Sequence, residues 1–148
     1  MKYKISFLLL MLLIIRIPVF TVASDDMVLF MKIPLIPIIV ETEQVHSVSL
    51  TSIKEYYVVS WYDIRLNKIE YYDQGGAGMP NHDSLILDKG FFSYVDIRYN
   101  NINMLIDKNN KIRVDNELID LTVIEKDVIE ISVKRHFLIE YLIKVGAL

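Results

Sequence analysis

The clearest fold signal of the chain lies at residues 128–135, which read VIEISVKR. Apolar and polar side chains alternate from Ile129 to Lys134. The apolar members are Ile129, Ile131 and Val133, and the polar members between them are Glu130, Ser132 and Lys134. Because successive side chains of a strand point to opposite faces, this period of two predicts a strand with one buried face and one face in water.

The same period, with β-branched and aromatic residues, recurs from Tyr56 onward. Turn-forming residues separate the apolar segments, which is typical of antiparallel strands. We predict tight turns at Asn67-Lys68, Asp88–Gly90, Lys108–Asn110 and Glu125–Asp127. About eight short strands joined in this way predict a single all-β domain, an antiparallel β-sandwich or a barrel-like meander, with room for a short helix.

The last segment, Phe137–Val145, fits two patterns. As a strand it would carry Ile139, Tyr141, Ile143 and Val145 on one face. As a helix it would carry Phe137, Leu138, Tyr141, Leu142 and Val145 on one stripe. The β-branched content and the preceding strands favour a strand here.

The N-terminus has the features of an export signal. Lys2 and Lys4 precede an apolar run at residues 5–15, and residues 21–24 are the small-residue sequence TVAS. This order predicts a signal peptide at residues 1–23, cleaved after Ala23 or Ser24, and one β-rich domain at residues 24–148.

The alternative for this segment is an uncleaved membrane anchor, because residues 5–22 approach the length that a transmembrane helix needs. Arg16 and Pro18 interrupt the stretch, and a charge within the hydrocarbon core is costly, so the sequence favours cleavage. A second apolar stretch at residues 27–40 contains Lys32, Pro34 and Pro37, which favour an extended edge segment over a membrane helix.

Composition limits the compartment and the partners. The formal net charge is −3, and the first 23 residues hold three basic residues and no acidic one, so the mature chain would be still more acidic. An acidic surface argues against nucleic acid as a partner. The chain has no cysteine and no Asn-x-Ser/Thr triplet, which favours a bacterial periplasm or exterior over a eukaryotic secretory pathway.

No set of residues in the sequence specifies a reaction. The series Asp107, Asn109, Lys111, Asp115 and Glu117 has a lysine where a calcium loop needs an oxygen ligand, and it lacks the required glycine and final glutamate. His82, Asp83 and Ser84 are sequence neighbours, which cannot approach one another as a catalytic triad does. His46 and His136 lack the spacing of a zinc site. We therefore predict no catalytic residues, no metal and no cofactor, and favour a non-enzymatic protein.

The most suitable binding segment is the loop at residues 74–84, which contains three glycines and is flanked by aromatic residues. The predicted binding residues are Tyr71, Tyr72, His82, Asp83, Phe91 and Phe92. We expect an exported, non-enzymatic β-domain that binds another macromolecule, most simply a protein, as an inhibitor, immunity protein or envelope accessory protein does. A membrane is expected as a partner only through an uncleaved signal segment. The alternative is a small hydrolase or carbohydrate-active protein that uses His82, Asp83 and Asp88.

Overall fold

The chain forms two antiparallel β-sheets and one C-terminal helix in the computed structural model, which describes residues 14–25, 27–45, 52–71, 85–87, 90–107, 109–124 and 128–147. The strands are β1 (Arg16–Ser24), β2 (Met27–Lys32), β3 (Ile38–Val45), β4 (Ser52–Val59), β5 (Ile64–Tyr71), β6 (Leu85–Leu87), β7 (Gly90–Tyr99), β8 (Asn101–Leu105), β9 (Lys111–Val114), β10 (Glu117–Leu118) and β11 (Val128–Phe137). They are followed by the helix α1 (Leu138–Ala147).

The two sheets pack face to face around one apolar core. The smaller sheet has the strand order β2-β1-β11-β8, and the larger has the order β10-β9-β3-β4-β5-β7-β6. Phe20 and Ile131 from the smaller sheet belong to the same buried cluster as Val40, Tyr57 and Ile112 from the larger one. The sheets do not close into a barrel, so the predicted all-β, sandwich-like fold with a short helix is confirmed.

β11 is a strand, as its alternating sequence predicts, but the middle of its polar face is buried at Ser132. Ile129 and Ile131 are fully buried. Ser132, which we expected to face solvent, is only 2% exposed, and its hydroxyl lies 3.2 Å from that of Thr21 on β1. Glu130 and Lys134 flank Ser132 on the same face of the strand. The carboxylate of Glu130 lies 2.6 Å from the ammonium of Lys134. This ion pair covers the two hydroxyls.

β1 occupies an interior position in the smaller sheet, with β11 on one side and β2 on the other. Val19, Phe20 and Val22 are fully buried. Pro18 is accommodated within this strand opposite Arg135. Cleavage after Ala23 or Ser24 would remove this strand and leave β2 and β11 without the strand that joins them.

Several turns differ from those expected. The turn after β4 lies at residues 60–63, where the Ser60 amide donates to the Asp63 carbonyl oxygen at 2.9 Å, whereas Asn67 and Lys68 lie inside β5. That region of β5 contains a register shift against both neighbouring strands, so the polar pair marks a bulge and not a turn. β6 and β7 pair as the predicted hairpin.

The second half of the chain is not a simple meander. β8 pairs with β11 in the smaller sheet, and β9 pairs with β3 in the larger sheet, so the chain changes sheets at residues 106–110. Residues 121–124 form a turn region between β10 and β11. β8 and β9 are therefore neighbours in the sequence that pair with distant strands and not with each other.

The C-terminal segment is a helix, so the prediction of a strand at Phe137–Val145 is wrong. The carboxylate of Glu140 accepts the Phe137 amide at 3.2 Å and caps the first turn. The Leu138 amide donates to the Ile15 carbonyl oxygen at 2.9 Å, which ties the start of the helix to the residue before β1. β1 begins at Arg16, the partner of Phe137, so β1 offers β11 no pairing partner beyond Phe137. The chain after Phe137 becomes helical.

Candidate functional site

Three of the six predicted binding residues lie in the described strands. Tyr71 is the last residue of β5 and is 4% exposed, so its ring belongs to the interior and not to an outer patch. Phe91 and Phe92 lie on β7, where Phe91 is the register partner of Tyr71. Tyr72, His82 and Asp83, like the whole expected binding loop at residues 74–84, lie outside the described residues. A binding role for the six stays a prediction.

The adjacent aromatic pairs behave differently from one another. In β4, Tyr57 points into the core and Tyr56 lies on the outer face, as expected for neighbours on a strand. Trp61 and Tyr62 lie in the turn at residues 60–63, where both rings are exposed. Because these two residues lie in a turn and not in a strand, both rings are exposed to solvent.

The outer face of the larger sheet carries charges that satisfy one another. Glu41 on β3 accepts from Arg113 at 2.8 Å and lies 3.9 Å from Lys54. Glu43 accepts from the hydroxyl of Ser52 at 2.9 Å. Partial burial raises the pKa of Glu43, but the Ser52 hydroxyl and the nearby lysines outweigh it and hold the pKa below its usual value. The acidic and basic side chains on this face therefore pair with each other across neighbouring strands, and these pairs stabilise the sheet.

One carboxylate lies on the inner face of the larger sheet. Glu55 accepts hydrogen bonds from the hydroxyls of Tyr57 at 2.7 Å and Thr42 at 3.3 Å. Burial raises the pKa of Tyr57, and the neighbouring carboxylate raises it further. The phenol therefore stays protonated and acts as a fixed donor to Glu55, which is a structural role.

A pocket of about 330 Å³ opens between the edges of the two sheets. One wall is β2, the edge strand of the smaller sheet, and the other is β10 with the residues that follow it. The lining is mostly apolar, with two carboxylates on the second wall. The lining residues are Met27, Val28, Leu29, Phe30, Glu117, Leu118, Ile119, Asp120 and Val123. Its size falls in the lower part of the range of about 300–1,000 Å³ that is usual for ligand pockets.

The two walls of the pocket are joined at one end by an ion pair. The Lys32 ammonium at the end of β2 lies 2.7 Å from the Asp115 carboxylate, in the turn that leads into β10. The other carboxylate oxygen of Asp115 accepts the Ile39 amide at 3.0 Å. Partial burial raises the pKa of Asp115, but the lysine and this amide outweigh it and lower the pKa overall.

The turn that presents β10 is a two-residue hairpin turn. Asp115 and Asn116 have φ values of 48° and 71°, and Val114 pairs with Glu117 across them. Positive φ at both central residues is the type I′ geometry, which aspartate and asparagine tolerate better than most residues. The Asp115-Asn116 pair is thus a sequence signal for a turn that was not predicted, because Asp115 was considered only as part of a calcium-like series.

The remaining ionisable groups form no further site within the described residues. No group of three histidine, aspartate or glutamate side chains there is placed to hold a metal ion. Asp107 lies after β8, and Asp115 is committed to Lys32, so the described part of the calcium-like series does not converge. No helix in the described part of the chain has the length and apolarity needed to cross a membrane.

The fold and the pocket define a small all-β domain that offers an apolar binding pocket between two sheet edges. The chain belongs to the family described as Domain of unknown function (DUF1850), whose model matches residues 40–121, more than half of the chain. The match runs from within β3 to Leu121, so it covers β10 but not Val123 of the second pocket wall, and it excludes β1, β2, β11 and α1. Comparison with curated proteins gave no match, and neither did comparison with solved structures.

Proposed function

We propose that this protein is an exported, non-enzymatic binding domain whose partner is another macromolecule, and that the pocket between β2 and β10 is its contact site. The observation that carries the proposal is the pocket itself, which combines apolar walls with two open sheet edges. Edge strands present unpaired backbone groups, which an extended segment of a partner can pair with.

The chemistry of the pocket favours a particular kind of partner segment. Met27, Leu118 and Val123 are large apolar residues that remain exposed at the pocket. Glu117 and Asp120 lie on the same wall. The Thr122 hydroxyl and amide hold the pKa of Asp120 below its usual value, so this carboxylate is ionised at neutral pH. A partner segment with an apolar side chain next to a lysine or arginine fits this arrangement.

Export with a retained N-terminus fits the fold better than cleavage after Ala23 or Ser24. The proposal of a periplasmic or secreted location rests on the charge and apolar pattern of residues 1–15. The full burial of Val19, Phe20 and Val22 supports retention of β1, because removing a strand from the interior of a sheet exposes the core on both sides. We therefore propose that the N-terminal segment stays attached and holds the domain at the membrane.

The alternative of a hydrolase gains no support from the described carboxyl groups. A general acid at neutral pH needs a raised pKa. The described carboxyl groups with a resolved shift, which are Glu43, Glu70, Asp115, Asp120 and Glu130, all have a lowered pKa. His82, Asp83 and Asp88, on which the alternative depends, lie outside the described residues.

The pocket is tested with a photo-crosslinking amino acid at Leu118, in the full-length chain expressed in bacteria. The control is the same amino acid at Leu105, an exposed residue on β8, the opposite edge of the smaller sheet. We expect one discrete crosslinked partner from position 118 and none from position 105. Leu118→Asp should abolish co-purification of that partner, whereas Leu105→Asp should not.

Deletion of residues 75–78 distinguishes the pocket from the predicted binding loop. Loss of the partner on this deletion, with binding unaffected by Leu118→Asp, would assign the contact to the loop and contradict the role of the pocket. Retention of the partner in both variants, or no partner at all, would overturn the proposed function.

A further inference from the structure

The end of the sandwich at which β1 begins carries a set of exposed apolar side chains from three separate segments. β2 ends beside Phe20, so the loop at residues 33–37 extends towards the start of β1. Ile38 pairs with Val59, so the turn at residues 60–63 borders that loop. Phe137 pairs with Arg16, which places α1 at the same end.

The two loops each present a pair of large apolar residues. Leu35 and Ile36 are 74% and 68% exposed, and Trp61 and Tyr62 are 41% and 78% exposed. Tryptophan and tyrosine are the residues enriched where a protein meets the headgroup region of a bilayer. Neighbouring exposed apolar residues of this size mark an interaction surface.

α1 is apolar on nearly its whole circumference. Its sequence is LIEYLIKVGA, with Glu140 and Lys144 as its only charged residues, one turn apart on the same side. Leu142 and Ile143 are exposed to solvent, and Ile143 lies on the same side of the helix as the two charges. A helix that exposes apolar residues beside a few charged ones is suited to lie at a membrane interface.

The chain that precedes Ile14 continues this apolar end. The Ile15 carbonyl oxygen accepts the Leu138 amide, so the chain reaches β1 directly beside the first turn of α1. Ile14 and Ile15 are both exposed there, and the sequence before them, at residues 5–13, reads ISFLLLMLL. Ile14 and Ile15 thus lie beside the exposed apolar surface of α1.

The charges at this end include basic residues that can face a negatively charged surface. Asp63 lies 3.7 Å from Arg98 and Asp115 lies 2.7 Å from Lys32. The carboxylate of Glu140 lies 3.7 Å from the His136 imidazole and one turn from Lys144. The Arg16 guanidinium stacks 4.5 Å above the Phe137 ring, and Lys144 lies in the last turn of α1. Basic residues beside an apolar surface favour anionic lipid headgroups.

We infer that this end of the sandwich docks on an anionic lipid bilayer, with α1 and the loops at residues 33–37 and 60–63 dipping into the headgroup region. The inference extends the proposed retention of the N-terminal segment but does not depend on the partner at the pocket. A flexible tether would leave the domain free to point in any direction, whereas the docked end gives it one orientation.

The absence of cysteine from the chain allows a site-specific test. Full-length Ile143→Cys and Ile36→Cys variants are labelled with an environment-sensitive fluorophore and reconstituted into vesicles of phosphatidylcholine with phosphatidylglycerol. Leu105→Cys is the matched control, because Leu105 is 72% exposed and lies opposite Val128, at the other end of β11. Intact mass verifies the N-terminus, and circular dichroism verifies the fold of each variant.

We expect a blue shift of the label at positions 143 and 36, together with quenching by spin-labelled lipid. The label at position 105 should show neither effect. In vesicles of phosphatidylcholine alone, the quenching at position 36 should weaken. Labels at 143 and 36 that behave like the label at 105 would overturn the inference. A blue shift without quenching by lipid would also overturn it, because a second copy, a protein partner or residues 1–13 would then cover the surface.

Discussion

Lys32 and Asp115 form a 2.7 Å ion pair between the end of β2 and the turn before β10, and so connect the edges of two different sheets. Asp115 also accepts the Ile39 amide. The two strands that border the pocket are therefore joined by a contact between residues that are 83 positions apart in the sequence.

Replacing Asp115 tests this connection. The folded state lowers the pKa of Asp115, so its contribution to stability is present above the unfolded pKa of about 3.9 and is lost as the pH falls through the folded value. We expect Asp115→Asn to cost no more than about 1 kcal/mol at pH 7, because both partners are more than a third exposed. The difference from wild type should vanish below the folded pKa. Urea unfolding across pH measures this, with Asp96→Asn, at the exposed Arg65 pair, as the control. An equal loss at all pH values would contradict the electrostatic role.

The β9–β10 turn predicts opposite effects for two substitutions at one position. Asn116 has a φ of 71°, which glycine adopts without strain and alanine does not. We expect Asn116→Ala to cost about 1 kcal/mol and Asn116→Gly to be nearly neutral. Thermal unfolding of both variants provides the comparison. Equal melting temperatures for the alanine and glycine variants would show that the turn does not require positive φ.

The prediction that Ile131 on β11 faces the core is tested by an isoleucine-to-aspartate substitution there and by the same substitution at an exposed position. Ile131 is fully buried, and Ile36 is exposed in the loop before β3. We expect Ile131→Asp to lose more than about 4 kcal/mol, because it buries an unpaired charge, and Ile36→Asp to change stability little. Urea midpoints of the two variants should differ widely, and similar midpoints would show that β11 faces the other way.

The place of β1 in the sheet predicts the outcome of two N-terminal deletions. A chain without residues 1–13 keeps all of β1 and should fold. A chain without residues 1–23, the product of the cleavage that the sequence predicts, keeps only Ser24 of this strand and should fail to fold cooperatively. Circular dichroism with urea titration compares the two. Intact mass of the native protein from the envelope fraction gives the corresponding result in the cell. A mature protein that begins at Ser24 or Asp25 and folds normally would contradict the interior role of β1.

The sequence predicted the fold class because strands carry local signals. The alternation along β11 and the turn residues at 88–90 depend only on neighbouring side chains, and the structure has a strand and a hairpin there. The pairing of strands was not predictable in this way. β1 pairs with β11, more than a hundred residues later, and this contact depends on the shape of the completed core.

Two segments fit two patterns each, and the cleavage predicted at the first of them stays a prediction. Residues 16–24 resemble the end of a signal peptide because they are apolar and small, and those properties also suit a strand buried on both faces. Phe137–Val145 has both a two-residue and a helical period, and the segment becomes a helix where β1 no longer offers a pairing partner. The local sequence pattern is compatible with both alternatives in each of these segments.

The candidate pocket could not be predicted from the sequence, because its two walls belong to different sheets. Met27–Phe30 and Glu117–Asp120 carry no motif, and their proximity follows from the packing of β2 and β10 at neighbouring edges. What the sequence alone determined was the presence of β-strands, the acidic charge and the apolar N-terminus, which are properties of composition and short-range period. The tertiary structure decided which strand joins which sheet, whether β1 is part of the domain and where apolar residues stay exposed, because burial and strand pairing depend on the whole chain at once.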